Sequence, residues 1–427
     1  MKVYLETLGC RLNESEVERM GRVFRYLGHD VVNVVEEAEL CVINTCAVTN
    51  EAGRKSRQLI YQALRKSPDI KVVVTGCYSE IEREKVESID GVLEVVSNMD
   101  KDDLVPHILG LSADDAKIDL EPLIREASPG ELGRTRAFLK IQDGCDNRCT
   151  FCVTTIARGA SRSRPLDEII TEVNALHDVG YQEIVLSGVH LGSYGRDMDK
   201  KLDLSILIKE LLSRTSIRRI RLSSLEPWDI PEHFFELWQD SRLCRHLHLP
   251  LQSGSDATLK RMARRTRKEP FRDLVAEIRA HIPQVAISSD MIVGFPGETE
   301  ADFEESLQFF EEMNFCHSHI FRYSSRPKTV AARMSNQVHG DEKTRRSRLL
   351  QKVAKEAKRR FYESVLGEEV EVLWEQKQDD GRLCWQGLTD HYVRVKVCVP
   401  RDLYNKITSV RLDALEKNDE MIQVVLL

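Results

Sequence analysis

Three strand-like runs in the first third of the chain, Val3-Leu8, Leu40-Thr45 and Lys71-Thr75, each lead straight into a loop that carries a cysteine: Cys10, Cys46 and Cys77. Amphipathic stretches over Asn13-Leu27, Asn50-Arg65 and Glu80-Ser88 separate them. This alternation predicts strand, helix, strand, and so a parallel, doubly wound sheet of α/β class over residues 1–125. Loops at the carboxyl ends of such strands converge, which is expected to bring the three cysteines to one edge. Each cysteine begins a loop or a helix, where backbone N–H groups and the helix dipole favour a thiolate or a cluster sulfide. An auxiliary metal cluster is one reading, and buried structural thiols are the other. Cys41 lies within its strand and reads as core, as do Cys244, Cys316, Cys384 and Cys398, which have no ligand spacing.

A second group is compact. Cys145, Cys149 and Cys152 stand in the C-x3-C-x2-C string Gln142-Asp143-Gly144-Cys145-Asp146-Asn147-Arg148-Cys149-Thr150-Phe151-Cys152. A structural zinc site takes four protein ligands, whereas three cysteines on a cubane iron–sulfur cluster leave one iron open to a small molecule.

The triad, the Arg158-Gly159 that follows it and the later Gly294-Phe295-Pro296-Gly297-Glu298-Thr299 resemble the radical S-adenosylmethionine (SAM) superfamily. With Cys10, Cys46 and Cys77 ahead of them, the whole chain resembles the methylthiotransferase family. The resemblance implies two [4Fe-4S] clusters, one on Cys145, Cys149 and Cys152 and an auxiliary one on Cys10, Cys46 and Cys77. It also implies two uses of SAM: one molecule methylates sulfur on the auxiliary cluster, and another is cleaved to a radical that abstracts hydrogen from the substrate. The protein's part is to position the cofactors and exclude water.

From Ala137 onward six strands are predicted, near Phe138-Gln142, Glu183-Leu186, Arg218-Leu222, His246-Leu249, Val285-Ser289 and His319-Tyr323, with helices between them. Six repeats fall short of a closed eightfold barrel, so residues 137–340 are expected to form a partial (β/α)6 barrel with its site at the C-terminal strand ends. Those ends carry polar or glycine-rich residues able to meet ribose, amine and carboxylate groups. By resemblance, Ser187 and Gly188 lie near the methionyl end of SAM, and Ser224, Glu226 and Gln252 are candidate polar contacts. His190, His246 and His248 lack metal-ligand spacing and read as satisfied histidines. The linker between the two domains is placed at Leu111-Glu126.

Charge is informative only locally. The formal net charge of -7 gives no global sign of nucleic-acid binding. Lys260-Lys268 holds six basic residues in nine, which read as a solvated helix face or a phosphate-contacting patch. Residues 341–366 form a basic helix in which Leu349, Leu350, Val353, Ala357, Phe361 and Tyr362 share one face. Residues 367–427 break into five short strands, with a turn at Asp379-Gly381, and resemble a TRAM domain, an RNA-binding barrel. That segment nevertheless holds twelve acids against eight bases, which suits a basic protein partner better than RNA.

The 11 cysteines, without a signal-peptide pattern at Met1-Glu6, argue for reduced thiols and a cytoplasmic protein. No apolar run approaches the roughly 20 residues a membrane helix needs, so no membrane partner is expected. Within the family, Asn44-Thr45-Cys46-Ala47-Val48-Thr49 with Ala52 and Lys55-Ser56-Arg57, together with Gly192-Ser193-Tyr194-Gly195, most resemble the branch that methylthiolates N6-threonylcarbamoyladenosine (t6A) beside the tRNA anticodon. Val153-Thr154-Thr155-Ile156 departs from the family's usual Pro-Tyr run. The alternatives are isopentenyladenosine in tRNA, an aspartate of a ribosomal protein, and a non-enzymatic iron–sulfur RNA-binding or redox-sensing protein. The resemblance further implies an electron donor such as flavodoxin or ferredoxin, and a sulfur source.

Overall fold

The computed structural model describes residues 1–111, 129–130, 135–198, 202–379, 383–416 and 420–427. Beyond Leu111, the expected linker lies outside the described residues, as does the turn at residues 380–381. The first sheet comprises β1 (Lys2–Thr7), β2 (Asp30–Val32), β3 (Leu40–Thr45), β4 (Lys71–Gly76) and β5 (Val92–Val95), ordered β2-β1-β3-β4-β5. All its pairings are parallel. The central strand β3 is buried at every residue, which is why it reads as a continuous apolar run. Strands β2 and β5 were not foreseen: three or four residues carry too little periodicity. The expected helix over Glu80-Ser88 is two short helices, Cys77–Ile81 and Arg83–Glu87.

Next come β6 (Arg136–Lys140), a two-stranded ribbon of β7 (Gln142–Asp143) and β8 (Arg162–Ser163), then β9 (Glu183–Ser187), β10 (Arg219–Leu222), β11 (His246–His248), β12 (Ala286–Val293) and β13 (His317–Arg322). Parallel sheets β6-β9-β10 and β11-β12-β13 are joined by bridges Ile220 to Leu243 and Ser224 to His248. The six strands thus form a partial (β/α)6 barrel. Helix Gly340–Ser364 packs on it through Leu350 and Ala357, while Leu349 is 40% exposed and lies off the expected face.

The chain ends in a closed antiparallel-rich barrel of β14 (Glu369–Asp379), β15 (Leu383–Thr389), β16 (Arg394–Cys398), β17 (Ile407–Leu415) and β18 (Ile422–Leu426). Val372, Trp374, Val395, Val410 and Ile422 fill it. Cys384 and Cys398 face each other across β15 and β16 and are joined as a disulfide, so the expectation of reduced thiols fails at this pair. Their pairing depends on strand register, which spacing alone does not reveal.

This barrel docks on the strand starts of the half-barrel through ion pairs. Arg136 Nε meets Glu375 at 2.6 Å, Arg245 Nε meets Asp390 at 2.6 Å, and Arg218 Nη2 meets Glu371 at 3.1 Å. Gln284 donates to Glu368. Arg219 and Arg221 donate to the backbone carbonyls of Glu371, Leu388, Thr389 and Asp390. The basic partner implied by the acidic module is therefore the chain's own half-barrel. Apart from Glu368, Glu371, Glu375 and Asp390, the module carries as many acids as bases.

Candidate functional site

Gln142 and Gly144 shape the compact cysteine loop. Gly144 has φ of +72°, and a Cβ there would overlap the Ala160 carbonyl oxygen at 1.9 Å, so only glycine permits the reversal. The Cys145 N–H then donates to the Gly159 carbonyl at 3.1 Å. Gln142 Nε2 donates to the Asp143 and Gly144 carbonyls, and its Oε1 accepts from the His190 N–H at 2.8 Å. Between the cysteines, Thr150 is tied by backbone hydrogen bonds to Met262 and Ala331, and Phe151 packs edge-on against Phe295 of the Gly294-Thr299 turn. That turn is held in place by Glu298, which accepts from the Gly294 N–H and from Arg346.

Donors surround the three sulfurs. Asn147 N–H reaches Cys145 Sγ at 3.4 Å, Thr154 N–H reaches Cys152 Sγ at 3.4 Å, and Arg264 Nη1 reaches Cys149 Sγ at 3.8 Å. Burial pushes the Cys145 thiol up to about 12. It also raises the Cys149 thiol, against the pull of the Arg264 charge. N–H donors and a guanidinium aimed at the sulfurs suit a group that binds them as thiolates, and three cysteines with an iron–sulfur cluster fit this donor set.

The expected polar residues at the strand ends have unequal roles, and two of them, Glu226 and Gly188, are tied to this loop. Glu226 pairs with Arg264 at 2.6 Å and so stands beside Cys149. Ser224 bridges to His248. Gln252 takes a left-handed φ of 73° and bridges to Met291. Gly188 lies against the Gln142 side chain. Ser187 is buried with its hydroxyl donating to Val185 O at 3.2 Å, turned back into its own strand.

Two neighbours of the cysteines escaped the sequence reading. His190 Nδ1 lies 3.9 Å from Cys145 Sγ, and its Nε2 is 2.8 Å from Asp229, which also binds Arg196. It is buried and satisfied, as expected, and in addition stands beside a cysteine of the compact loop. Arg264 belongs to the basic run Lys260-Lys268, whose residues divide between ion pairs within the fold and solvent. Arg264 is buried on Glu226, Arg261 pairs with Asp302, and Lys268 pairs with Glu305, leaving Lys260 and Arg265 exposed. The signal available was the apolar spacing of Leu259, just before the run, and Met262 within it, both fully buried.

Cys10, Cys46 and Cys77 follow β1, β3 and β4, three neighbouring strands. Gly9 packs on Cys46, leaving room for no side chain: a Cβ there would stand 2.9 Å from Cys46 Cβ. Cys77 opens its helix directly behind Thr45 and Gly76. Burial pushes the Cys46 thiol up to about 11, with Cys10 and Cys77 adding to the effect. Cys41, by contrast, is 0% exposed within β3. The topology therefore gathers these three thiols at one sheet edge. Among the described residues, no three His, Cys, Asp or Glu side chains are drawn together closely enough to grip a single ion.

Comparison with known proteins matches this arrangement. Residues 139–310 fit the model of the radical SAM superfamily, and residues 2–97 fit that of the uncharacterized protein family UPF0004. Threonylcarbamoyladenosine tRNA methylthiotransferase MtaB of Bacillus subtilis (strain 168) is 38% identical over 421 residues, 96% of this chain and 93% of that protein. The tRNA-2-methylthio-N(6)-dimethylallyladenosine synthase of Maricaulis maris (strain MCS10) is 31% identical, covering 98% of this chain and 96% of that protein. Among solved structures, the radical SAM methyltransferase TsrM from Kitasatospora setae, with cobalamin and a [4Fe-4S] cluster bound, shares the fold at a TM-score of 0.56. It is 14% identical and matches over 77% of this chain and 76% of that one. With 38% and 31% identity to the two tRNA-modifying enzymes over nearly its whole length, and a match to the radical SAM model over residues 139–310, the chain belongs to the radical SAM tRNA methylthiotransferases.

Proposed function

We propose that the substrate is t6A beside the anticodon of tRNA, converted at adenine C2 to 2-methylthio-t6A. The observation that carries this reading is the higher identity, over nearly the whole chain, to relatives named for threonylcarbamoyladenosine: 38% against 31% for the dimethylallyladenosine enzyme quoted above. The ribosomal-protein alternative drew its support from the acidic C-terminal module, and the ion pairs to Arg136, Arg218 and Arg245 account for that acidity internally.

Cys145, Cys149 and Cys152 hold one [4Fe-4S] cluster in this reading, and Cys10, Cys46 and Cys77 hold the other. When bound, the first cluster with SAM supplies a radical able to abstract hydrogen, and the second supplies the sulfur. The chain's own part is placement. Arg264 neutralises Glu226 beside Cys149 and donates toward its sulfur. His190, fixed by Asp229 and by Gln142 through its backbone, shields Cys145. In this reading Gly188, Ser224, Glu226 and Gln252 meet SAM at the strand ends, and Ser187, its hydroxyl turned into its own strand, offers only its backbone. An anticodon-loop base is already partly unstacked, so drawing it into such a cleft costs at most a few kcal/mol. Exposed Arg and Lys would hold phosphates without reading sequence.

The reading places the protein in the cytoplasm, with a flavodoxin or ferredoxin as electron donor and a separate sulfur source. No described helix is long and apolar enough to cross a membrane. The test is mass spectrometry of tRNA nucleosides from cells with and without the protein. Loss of the 2-methylthio form with accumulation of t6A is expected. Loss of 2-methylthio-dimethylallyladenosine instead would assign the other tRNA substrate.

A further inference from the structure

Arg158 leaves the half-barrel just after the Cys145-Cys152 loop and ends inside the N-terminal domain, 2% exposed. Its Nη1 donates to Glu16 Oε1 at 2.8 Å and to Asp143 Oδ1 at 2.9 Å, and its Nη2 donates to Asn13 Oδ1 at 2.7 Å. Each acceptor leads to a cysteine loop. Asp143 Oδ1 also accepts from the N–H of Gly144, the residue before Cys145. Asn13 Oδ1 is also 3.6 Å from Cys10 Sγ, and Asn13 Nδ2 donates to Thr45 O, next to Cys46. Glu16 is shared with Lys101 Nζ at 2.9 Å and with Asn44, one strand position from Thr45. One planar guanidinium thus ties both sets of thiols together.

Stability alone does not explain such a network. Replacing a buried ion group by well-packed apolar residues is often neutral or stabilising, so a buried ion network is weak evidence of a stabilising role. The rigid fork of arginine fixes several acceptors at once, which a lysine point charge does not. Burial works to raise the Glu16 carboxyl, yet Arg158 and Lys101 hold it well below the usual carboxylate range, so the cations remain paired.

We propose that Arg158 is a positioning residue for both thiol sets, fixing the Cys145-Cys152 loop against the Cys10, Cys46 and Cys77 edge and supplying the positive field at that edge. This rests on the reading that each set holds a cluster. A cation beside a cluster favours its more reduced, more negative state, and so raises its reduction potential.

The test uses the full chain, reconstituted anaerobically, with Arg158→Gln and Arg158→Lys. The potential of the N-terminal cluster is followed by electron paramagnetic resonance in a background where Cys145, Cys149 and Cys152 are alanine. The ratio of methylthiolated tRNA to 5′-deoxyadenosine is measured in the background that keeps all six cysteines. Arg158→Gln is expected to move the potential to more negative values and to lower the ratio about tenfold, the scale of a small misplacement of reacting groups. Arg158→Lys should restore the potential and leave the ratio low, because the charge returns without the fork. Should Arg158→Gln fail to fold, Arg158→Lys carries the test: a ratio equal to wild type overturns the proposal, as do an unchanged potential and ratio in Arg158→Gln. Absence of iron at the N-terminal cysteines of the wild-type chain would instead refute the underlying cluster reading.

Discussion

Tyr392, on the turn between β15 and β16, lies flat on His246 of β11, with ring centroids 4.3 Å apart and planes 16° from parallel. Its hydroxyl accepts from Arg11, next to Cys10, at 2.6 Å, and the Arg221 guanidinium lies over its ring at 5.2 Å. The C-terminal barrel is thus part of the wall of the half-barrel, and it reaches the residue beside a candidate cluster ligand.

Removal of the module therefore has a structural consequence as well as any loss of tRNA affinity. A chain ending at Leu366 takes Glu375 from Arg136, Asp390 from Arg245 and the Thr389 and Asp390 carbonyls from Arg221, which keeps only Glu183, and its melting temperature is expected to fall clearly below that of the full chain. Tyr392→Phe removes only the hydrogen bond and should cost about 1 kcal/mol, read from the denaturant midpoint. A truncated chain as stable as the full one would show that the docking contacts contribute nothing.

Cys149→Ala should abolish 5′-deoxyadenosine formation, because the compact site would lose one of three protein ligands. The measurement is chromatography of the products after anaerobic reconstitution. An unchanged rate would reject the assignment of this triad.

Cys46→Ala should behave differently. SAM cleavage is expected to continue while methylthiolation stops and bound iron falls by roughly one cluster's worth. Full iron content with normal product would show that Cys10, Cys46 and Cys77 are structural thiols.

Acid should loosen the fold at two buried histidines, His391 in the C-terminal module and His317 on β13 of the half-barrel. Burial lowers the His391 imidazole from 6.5 to about 4, and likewise His317 to about 4. Both are neutral when folded and take up protons more readily when unfolded, so their contribution is complete above about pH 6.5 and is lost as pH falls toward 4. The melting temperature should decline over that window, and His391→Phe should flatten the decline. A curve of identical slope in the variant would exclude His391 as a cause.

The elements were legible where periodicity is strong: β3, the helix Asn50–Lys66 and the six strands of the half-barrel stand close to their expected positions. The six thiols could be picked out because one set has tight spacing and the other follows strands at equivalent positions. Their supporting side chains could not. Arg264 meets Cys149 across 115 residues, and Arg158 meets Glu16 across 142. Such contacts depend on how distant elements of the half-barrel pack in the first case and on how two domains pack in the second, and residue spacing carries no trace of that packing. Composition misled in the same way: the acidity of the last 61 residues belongs to an internal interface, which a charge count cannot distinguish from an external one.

The ion pairs that seat the C-terminal barrel also limit what inheritance can rearrange. A chimaera that received this barrel from another protein would have to receive acids matching Arg136, Arg218 and Arg245, together with an aromatic ring to cover His246. The last domain is therefore not a portable cassette: changes on either side of the seam are expected to track one another among relatives, while its outward face is free to diverge.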